Sequence, residues 1–293
     1  MMSTAGPLQG AKAPSGGSAG HEVPSVGAIQ IWHQSFTVLQ DLGAYDAALK
    51  AHFKRVARPD TEIVMHGMRQ GTYRTNYPGN DIRHAGLQFL HAAQFVQAGL
   101  DAEREGFDAY AISTLPDPAL REIRSMLRIP VVGYGESAML TSCLLGSKFA
   151  ILCFISELTD LLADNARKYG LAERFAGVSD VGFRFTDVLE GFSSPGPLID
   201  RFREAARKSI AAGAEVIIPG EAPLCVLLAS QGIGSVDGVP VLDSLSCWVK
   251  HAEMLVDLKR QSGVERCQRG YFNEPPPRER VGELMAFYGG SAK

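Results

Sequence analysis

The stretch Gly106-Phe-Asp-Ala-Tyr-Ala-Ile-Ser-Thr114 decides the fold, because it recurs further along the chain as Gly213-Ala-Glu-Val-Ile-Ile-Pro-Gly-Glu221. Each stretch begins with a Gly suited to ending a helix, continues as an apolar strand and delivers a polar side chain at its end. Each precedes a proline-containing loop, a helix and a second strand that begins at Pro130 or Pro240. Two copies of one α/β unit predict two similar lobes, whereas two unrelated strand-loop-helix units are the alternative.

Strand and helix patterns alternate along the rest of the chain. Short apolar runs between turn residues predict strands, and apolar residues every three to four positions predict helices. The predicted strands are Ala28–Trp32, Glu62–His66, Ala109–Ser113, Pro130–Gly133, Phe149–Phe154, Glu215–Pro219 and Val239–Leu242. The predicted helices are Tyr45–Val56, Asp81–Glu105, Leu158–Tyr169, Leu198–Ala212 and Leu245–Arg260. This alternation predicts the α/β class, with two pseudo-symmetric lobes, each a parallel sheet flanked by helices, and an active-site cleft between them.

The domain boundaries follow from the repeat and from the composition of the two ends. Residues 1–25 are rich in Gly, Pro, Ser and Ala, and predict a disordered leader without the features of a signal peptide. We expect a first lobe over residues 26–135 plus 236–262, a second lobe over 136–235 and a C-terminal tail over 263–293. The chain should therefore cross between lobes near residues 135 and 235.

Composition narrows the classes of function. The 293 residues include 29 Lys and Arg against 32 Asp and Glu, a formal charge of −3, with no basic run, which argues against a nucleic-acid binder. No stretch of about 18 apolar residues is present, so no membrane span is expected. Five cysteines without a C-x-x-C pair, and histidines without ligand spacing, predict neither a disulfide framework nor a metal site. A reducing cytoplasm is the expected location.

The ends of the repeated strands carry the candidate catalytic residues. Ligands of open α/β sheets bind beyond the carboxyl ends of the strands. Thr114 and Glu221 take these positions in the two halves, so we expect them to face each other across one cleft. Their side chains should be about 6 to 9 Å apart if a substrate carbon lies about 3 to 3.5 Å from each.

Three segments resemble the aspartate/glutamate/hydantoin racemase superfamily, and its hydantoin racemase-like members most. They are Asp108–Leu120, Ile129–Ala138 and Gly213–Glu221, within a resemblance that spans about residues 28–260. The resemblance implies a two-lobed pseudo-symmetric enzyme in which two cysteines act from opposite faces of the substrate α-carbon. Their positions fall on Thr114 and Glu221, so both catalytic cysteines are replaced.

This replacement changes the chemistry that the resemblance implies. A Thr hydroxyl does not titrate near neutral pH, and no His or Lys stands beside Thr114 in the sequence to activate it. Glu221 can act as a general base or acid if its apolar surroundings raise its pKa. One acid–base group and one hydrogen-bond donor suit a one-sided proton transfer.

Seven other polar residues are candidates for substrate binding. They are His33, Gln34, Ser35, Arg74, Tyr77, Glu136 and Ser137. The first three follow the first strand, where family members carry a substrate-holding loop; a buried His33 is the alternative. Arg74 and Tyr77 lie in a polar loop long enough to act as a lid, with a solvated Arg74 as the alternative. Glu136 and Ser137 stand at a helix N-terminus that can hold a carboxylate or carbonyl, with a structural Glu136 as the alternative.

The sequence therefore predicts a cofactor-independent enzyme of the racemase superfamily. Its substrate is a small carboxylate or cyclic amide, and Glu221 supports racemisation, isomerisation or decarboxylation. Two alternatives stay open: a hydrolase of an amide, hydrazide or lactone in which Glu221 activates water, and a non-catalytic small-molecule binding protein. The expected partner is a small-molecule substrate, with no nucleic acid and no membrane, and a homo-oligomer is left open.

Overall fold

The computed structural model describes residues 27–289, so the predicted disordered leader over 1–25 lies outside the described residues. The strands are β1 (Ile29–Gln34), β2 (Thr61–His66), β3 (Ala109–Ile112), β4 (Val131–Gly133), β5 (Phe149–Cys153), β6 (Phe175–Asp180), β7 (Val216–Pro219), β8 (Ser235–Val236) and β9 (Val239–Pro240). The α-helices are α1 (Gly43–Val56), α2 (Gly79–Ile82), α3 (Ala85–Arg104), α4 (Leu120–Met126), α5 (Tyr134–Leu145), α6 (Thr159–Lys168), α7 (Phe185–Gly191), α8 (Gly196–Ala211), α9 (Ala222–Ser230), α10 (Ser244–Ser262) and α11 (Arg278–Gly289). Short 3₁₀ helices occupy Leu39–Asp41, Ser156–Leu158 and Ala172–Arg174.

Two parallel sheets with matching strand orders form the two halves. The first sheet has the order β2-β1-β3-β4 and the second has the order β6-β5-β7. Val241, just after the antiparallel pair β8–β9, forms a parallel bridge to Ile217 of β7. It lies beside β7 in the second sheet as β4 lies beside β3 in the first. The predicted α/β class with parallel sheets flanked by helices is confirmed.

The central strands of both sheets are covered by helices on both faces. Every residue of β3 is fully buried, and so are the three residues Val216–Ile218 of β7. Such strands read as continuous apolar runs because neither face meets water, which explains why these two stretches stand out in the sequence. Helix α10 packs against β3, β4 and α5, so the chain returns to the first sheet after β9. The predicted boundaries near residues 135 and 236 stay a prediction.

Strand β6 and the helix that begins near Asp81 differ from the sequence-based expectation. Strand β6 was not predicted, because it is a half-exposed edge strand with Gly177 at a φ of 128°, and it lacks an apolar run. The helix predicted over Asp81–Glu105 is divided into α2 and α3, because His84 between them has extended backbone angles.

The described part of the C-terminal tail packs on the chain's own first half. Arg266 donates hydrogen bonds to the carbonyl groups of Leu127 and Ser125, and the Arg121 guanidinium lies 4.3 Å from the ring centroid of Phe272. No helix within residues 27–289 is long and apolar enough to cross a lipid bilayer.

Candidate active site

One pocket, with about 490 Å³ of empty space that includes some open to solvent, lies where β3 and β7 end. Thr114 follows β3 and Glu221 follows β7, and both line this pocket while only 9% and 7% exposed. The other lining residues are Ser35, Phe36, Thr37, Tyr45, Tyr77, Pro78, Gly79, Ile82, Ser113, Leu115, Pro116, Phe154, Ile155, Leu158, Phe185, Ala222 and Pro223. The structure therefore brings the two predicted strand-end residues to one pocket, and their predicted separation stays a prediction.

Glu221 is held by backbone amides that come from a neighbouring strand. It is the N-cap residue of α9, and its carboxylate turns toward the end of β5. The Phe154 N–H donates to Oε1 at 3.0 Å and to Oε2 at 3.2 Å, and the Ile155 N–H donates to Oε1 at 3.0 Å. Because both amides converge on Oε1, Oε2 keeps most of its capacity to accept a proton.

Burial raises the pKa of Glu221 to about 8, against the backbone hydrogen bonds, which favour the charged form. A carboxyl group with such a pKa exists in both protonation states near neutral pH. That property suits a general acid–base group, whose ideal pKa lies close to the working pH.

Thr114 contributes a hydroxyl group that is not used by the protein. None of the hydrogen bonds found within residues 27–289 involves its Oγ1; only its carbonyl is engaged, by the Asp117 N–H at 3.1 Å. By contrast, the nearby hydroxyls of Ser35 and Thr37 bond to each other at 2.7 Å. The Thr114 hydroxyl is therefore free to donate to a ligand in the pocket.

Apart from Ser35, Thr37 and Ser113, the remaining lining residues are apolar or aromatic. The ring of Tyr77, in the loop before α2, stacks on Phe185 at a centroid distance of 4.7 Å, and Phe185 lies 6.4 Å from the ring of Phe154. Within the described part of the chain, no Lys, Arg or His lines the pocket. Glu221 is consequently the one ionisable carboxyl group among the lining residues, and none of those residues is a cation.

Of the substrate-binding candidates, Ser35 and Tyr77 line the pocket, whereas His33 and Gln34 do not. His33 is completely buried between the rings of Phe53 and Trp248, and burial lowers its pKa to about 4. Gln34 accepts a hydrogen bond from the Trp32 indole at 3.2 Å. His33 and Gln34 are buried residues of β1, whereas Ser35 follows the end of the strand, where the pocket lies.

Arg74, Glu136 and Ser137 also lie outside the pocket lining. Arg74 is exposed, and Ser137 is buried within α5. The Glu136 carboxylate forms a bidentate ion pair with Arg124, with N–O distances of 3.0 and 2.5 Å. These three residues and the pair His33 and Gln34 are therefore left out of the site proposed below.

The N-terminal amides of α5, which the sequence suggested for a substrate carboxylate, hold a carboxylate of the protein itself. Gly135 N–H donates to Oδ1 of Asp117 at 3.0 Å, and Glu136 N–H donates to Oδ2 at 2.7 Å. The Tyr169 hydroxyl donates to the same Oδ2 at 2.8 Å. The helix N-terminus is thus already occupied, because an internal anion satisfies the amides that an external one would need.

Sequence reasoning did not identify Asp117 as a structural residue. Two sequence features were available: Asp117 stands between Pro116 and Pro118, and a Gly-Tyr-Gly pattern begins at Gly133. In the structure, the φ of Asp117 is 48°, in the left-handed region that Asp tolerates better than most residues. A Cβ atom at Gly133 would lie 2.7 Å from Asp117 Oδ1, and one at Gly135 would lie 2.8 Å from Oδ2. The Gly-Tyr-Gly pattern therefore allows the Asp117 carboxylate to approach α5.

The sequence and the fold were compared with known proteins. Residues 44–252, more than half of the chain, match the family model described as Asp/Glu/Hydantoin racemase. A hydantoin racemase from Pseudomonas sp. (strain NS671) is 27% identical over 260 residues, which cover 88% of this chain and 96% of the relative. A hydantoin racemase from Paenarthrobacter aurescens is 30% identical over 165 residues, which cover 55% and 67% respectively.

Solved structures agree on the fold. The allantoin racemase from Klebsiella pneumoniae superposes with a TM-score of 0.70 at 21% identity, covering 86% of this chain and 95% of that one. The allantoin racemase from Pseudomonas fluorescens gives a TM-score of 0.67 at 23% identity, covering 85% and 98%. The chain is a racemase-like enzyme, an isomerase, and it belongs to the Asp/Glu/hydantoin racemase family.

Proposed function

We propose that this enzyme moves the α-proton of a small, uncharged cyclic amide of the hydantoin class, with Glu221 as the general base and Thr114 as a hydrogen-bond donor. The observation that carries the proposal is the composition of the pocket, which combines one buried carboxyl group with hydroxyls and apolar walls. A free amino acid would place its own carboxylate near Glu221 with no lining cation to offset the repulsion. An uncharged ring avoids this cost.

The proposed chemistry assigns one role to each strand-end residue. The Glu221 carboxylate takes the α-proton, and the electron pair of the C–H bond moves onto the adjacent ring carbonyl to give an enolate. The Thr114 hydroxyl donates to that oxygen, and the bond strengthens as negative charge develops there. The motifs predict that both catalytic cysteines are replaced, and under that prediction Glu221 takes over the proton transfer from one face.

The relatives support the proposed substrate class, and the free cysteines support the proposed location. The relatives reported above are hydantoin racemases and allantoin racemases, and the ring of hydantoin is a small uncharged cyclic amide. All five cysteines are unpaired, which fits the cytoplasmic location expected from the sequence. No particular observation favours the hydrolase or the non-catalytic binding protein.

Incubation in deuterium oxide tests the proposal directly. Each enantiomer of benzylhydantoin is incubated with the enzyme, and optical rotation is followed together with the α-proton signal in the NMR spectrum. We expect loss of rotation with incorporation of deuterium at the α-carbon, above the rate of an enzyme-free control. Aspartate and glutamate under the same conditions should not react. A product heavier by one water would instead support the hydrolase, and an unchanged hydantoin would contradict the proposal.

A further inference from the structure

Tyr77 contributes to the pocket an acidic hydroxyl for which no hydrogen bond is found within residues 27–289. It lies at the end of the loop between β2 and α2, and it lines the pocket with Glu221. Stacking on Phe185 holds one side of its ring. On another side the ring lies so close to Gly79 that a Cβ atom there would be 2.1 Å away. The ring is therefore fixed in position although it belongs to a loop.

The Tyr77 hydroxyl differs from that of its loop neighbour Tyr73. The Tyr73 hydroxyl donates to the Phe36 carbonyl at 2.7 Å, whereas none of the hydrogen bonds found within residues 27–289 involves the Tyr77 hydroxyl. Tyr77 is only partly buried, so water can bond to its hydroxyl when the pocket is empty. A free hydroxyl that borders a pocket is a candidate to bind a ligand.

Charged groups from both lobes act on this phenol. Burial is the main cause that raises the pKa of Tyr77 to about 12, and the charges of Glu221 and Glu157 act in the same direction. The Arg83 guanidinium, which forms an ion pair with Glu157 at 2.5 Å, acts in the opposite direction. Tyr77 consequently keeps its proton at neutral pH and is a donor to groups more basic than itself, which include a carbanion.

Racemisation requires a proton on the face opposite the one that lost it. Glu221 belongs to the half of the chain around β7, whereas Tyr77 comes from the half around β1 to β4. Thr114 is also in the first half, but its aliphatic hydroxyl is a much weaker acid than a phenol and is less suited to giving a proton to carbon. We propose that Tyr77 is the catalytic acid that delivers a proton to the α-carbon on the face opposite Glu221. This inference rests on the proposed function.

The step balances without any further reactant. Glu221 gains the α-proton and becomes neutral, while the C–H electron pair resides on the enolate. That pair then forms a new C–H bond with the proton of the Tyr77 hydroxyl, which leaves a phenolate. Exchange with solvent returns a proton to Tyr77 and removes one from Glu221. In the reverse direction, the Tyr77 phenolate abstracts and protonated Glu221 donates.

Tyr45 is the other tyrosine of the pocket, and it fits the role less well. It is 1% exposed, and the charges that act on its hydroxyl are those of Cys225 and Asp46 rather than Glu221. A group that shares a substrate with Glu221 should lie within reach of the charge of that residue. This condition is met by Tyr77.

Tyr77→Phe in the full chain separates the two faces. Because the hydroxyl has no protein partner, the variant should keep the stacking on Phe185 and the wild-type melting temperature. Racemisation of benzylhydantoin should fall about 10²- to 10⁴-fold. In deuterium oxide, however, the enantiomer whose α-hydrogen faces Glu221 should still exchange it with retention of configuration. The other enantiomer should neither exchange nor racemise.

Tyr73→Phe is the matched control, since it makes the same change in the same loop. It should leave the ratio of racemisation to exchange at the wild-type value. Wild-type racemisation by Tyr77→Phe would overturn this inference while leaving the proposed function intact. Loss of exchange for both enantiomers by a folded Tyr77→Phe would also overturn it, because Glu221 would then depend on Tyr77. A wild-type enzyme that neither exchanges nor racemises the hydantoin would instead overturn the proposed function.

Discussion

The loops that follow β3 and β7 stand at equivalent positions in the two halves, and each contains one buried carboxyl group held by two backbone amides. In the first loop this group is Asp117, bound by the amides of Gly135 and Glu136. In the second it is Glu221, bound by the amides of Phe154 and Ile155. Burial raises both pKa values, to about 7 for Asp117 and about 8 for Glu221.

Their positions in the loops give the two acids different functions. Glu221 is at the strand end itself and lines the pocket, with Oε2 engaged by one long hydrogen bond of 3.2 Å. Asp117 comes three residues after Thr114, lies outside the pocket lining and has both oxygens engaged, one of them by Tyr169 as well. Under the proposed function, similar anchoring by amides holds one carboxyl group for chemistry and buries the other as a structural link. Substitutions should separate the two roles.

The largest effect on turnover should come from Glu221→Gln. The amide oxygen can take the place of Oε1 and accept both backbone hydrogen bonds, so the fold should be preserved, but the base is removed. Turnover of benzylhydantoin should fall about 10²- to 10⁴-fold. Chiral chromatography measures the rate, and a thermal melt checks the fold. A fully active variant would exclude Glu221 as the base, and the two acids would then not differ in catalytic role.

The pH dependence of the wild-type enzyme should reveal the raised pKa of Glu221. Because the carboxylate is the active form, kcat/KM should fall about tenfold for each pH unit below about 8 and level off above it. Initial rates between pH 5 and pH 9, corrected for spontaneous racemisation, give this profile. The residual activity of Glu221→Gln should lack the inflection. A wild-type rate that is constant across this range would mean that Glu221 has an ordinary pKa or no role.

Thr114→Val should reduce turnover less than Glu221→Gln does. It preserves the shape of the side chain and removes the hydrogen bond to the enolate oxygen, which is worth about 1.5 to 3 kcal/mol, or roughly 10- to 100-fold in rate. The effect should appear in kcat rather than in KM, since the charge on the oxygen develops only in the transition state. Thr114→Ser keeps the hydroxyl and should keep most of the rate. Equal losses in both variants would assign Thr114 a packing role.

Asp117→Asn should affect stability rather than turnover. The amides of Gly135 and Glu136 bind different oxygens of Asp117, and Asn keeps only one of these oxygens, so one buried N–H loses its partner at a cost of about 1 to 3 kcal/mol in the free energy of unfolding. Urea denaturation measures this loss, and the racemisation rate in the absence of urea should stay within about tenfold of wild type. Glu221→Gln should show the opposite pattern. If Asp117→Asn loses turnover without losing stability, the two acids do not have separate roles.

Local patterns were sufficient to predict the α/β architecture and to select the two strand-end residues that line the pocket. Strands β3 and β7 are completely buried and therefore appear as apolar runs, and their repetition identifies Thr114 and Glu221 as matching strand ends. Strand β6 escaped prediction because an exposed edge strand with an internal glycine has no such run. The seven substrate-binding candidates were less reliable, since adjacency to a strand end does not determine which way a side chain points.

What the sequence by itself determined is what neighbouring residues encode: the alternation of strands and helices, the duplicated unit and the residues at its two strand ends. What only the tertiary structure decided is how those residues are used. The amide that binds Glu221 lies 67 positions away in the sequence, at Phe154, and the stacking of Tyr77 on Phe185 joins residues that are 108 positions apart. Contacts between residues so far apart produce no repeating pattern within a short stretch of sequence. They arise because packing two sheets brings their strand ends together, and burial there sets the pKa of whatever acid the sequence has placed at the junction.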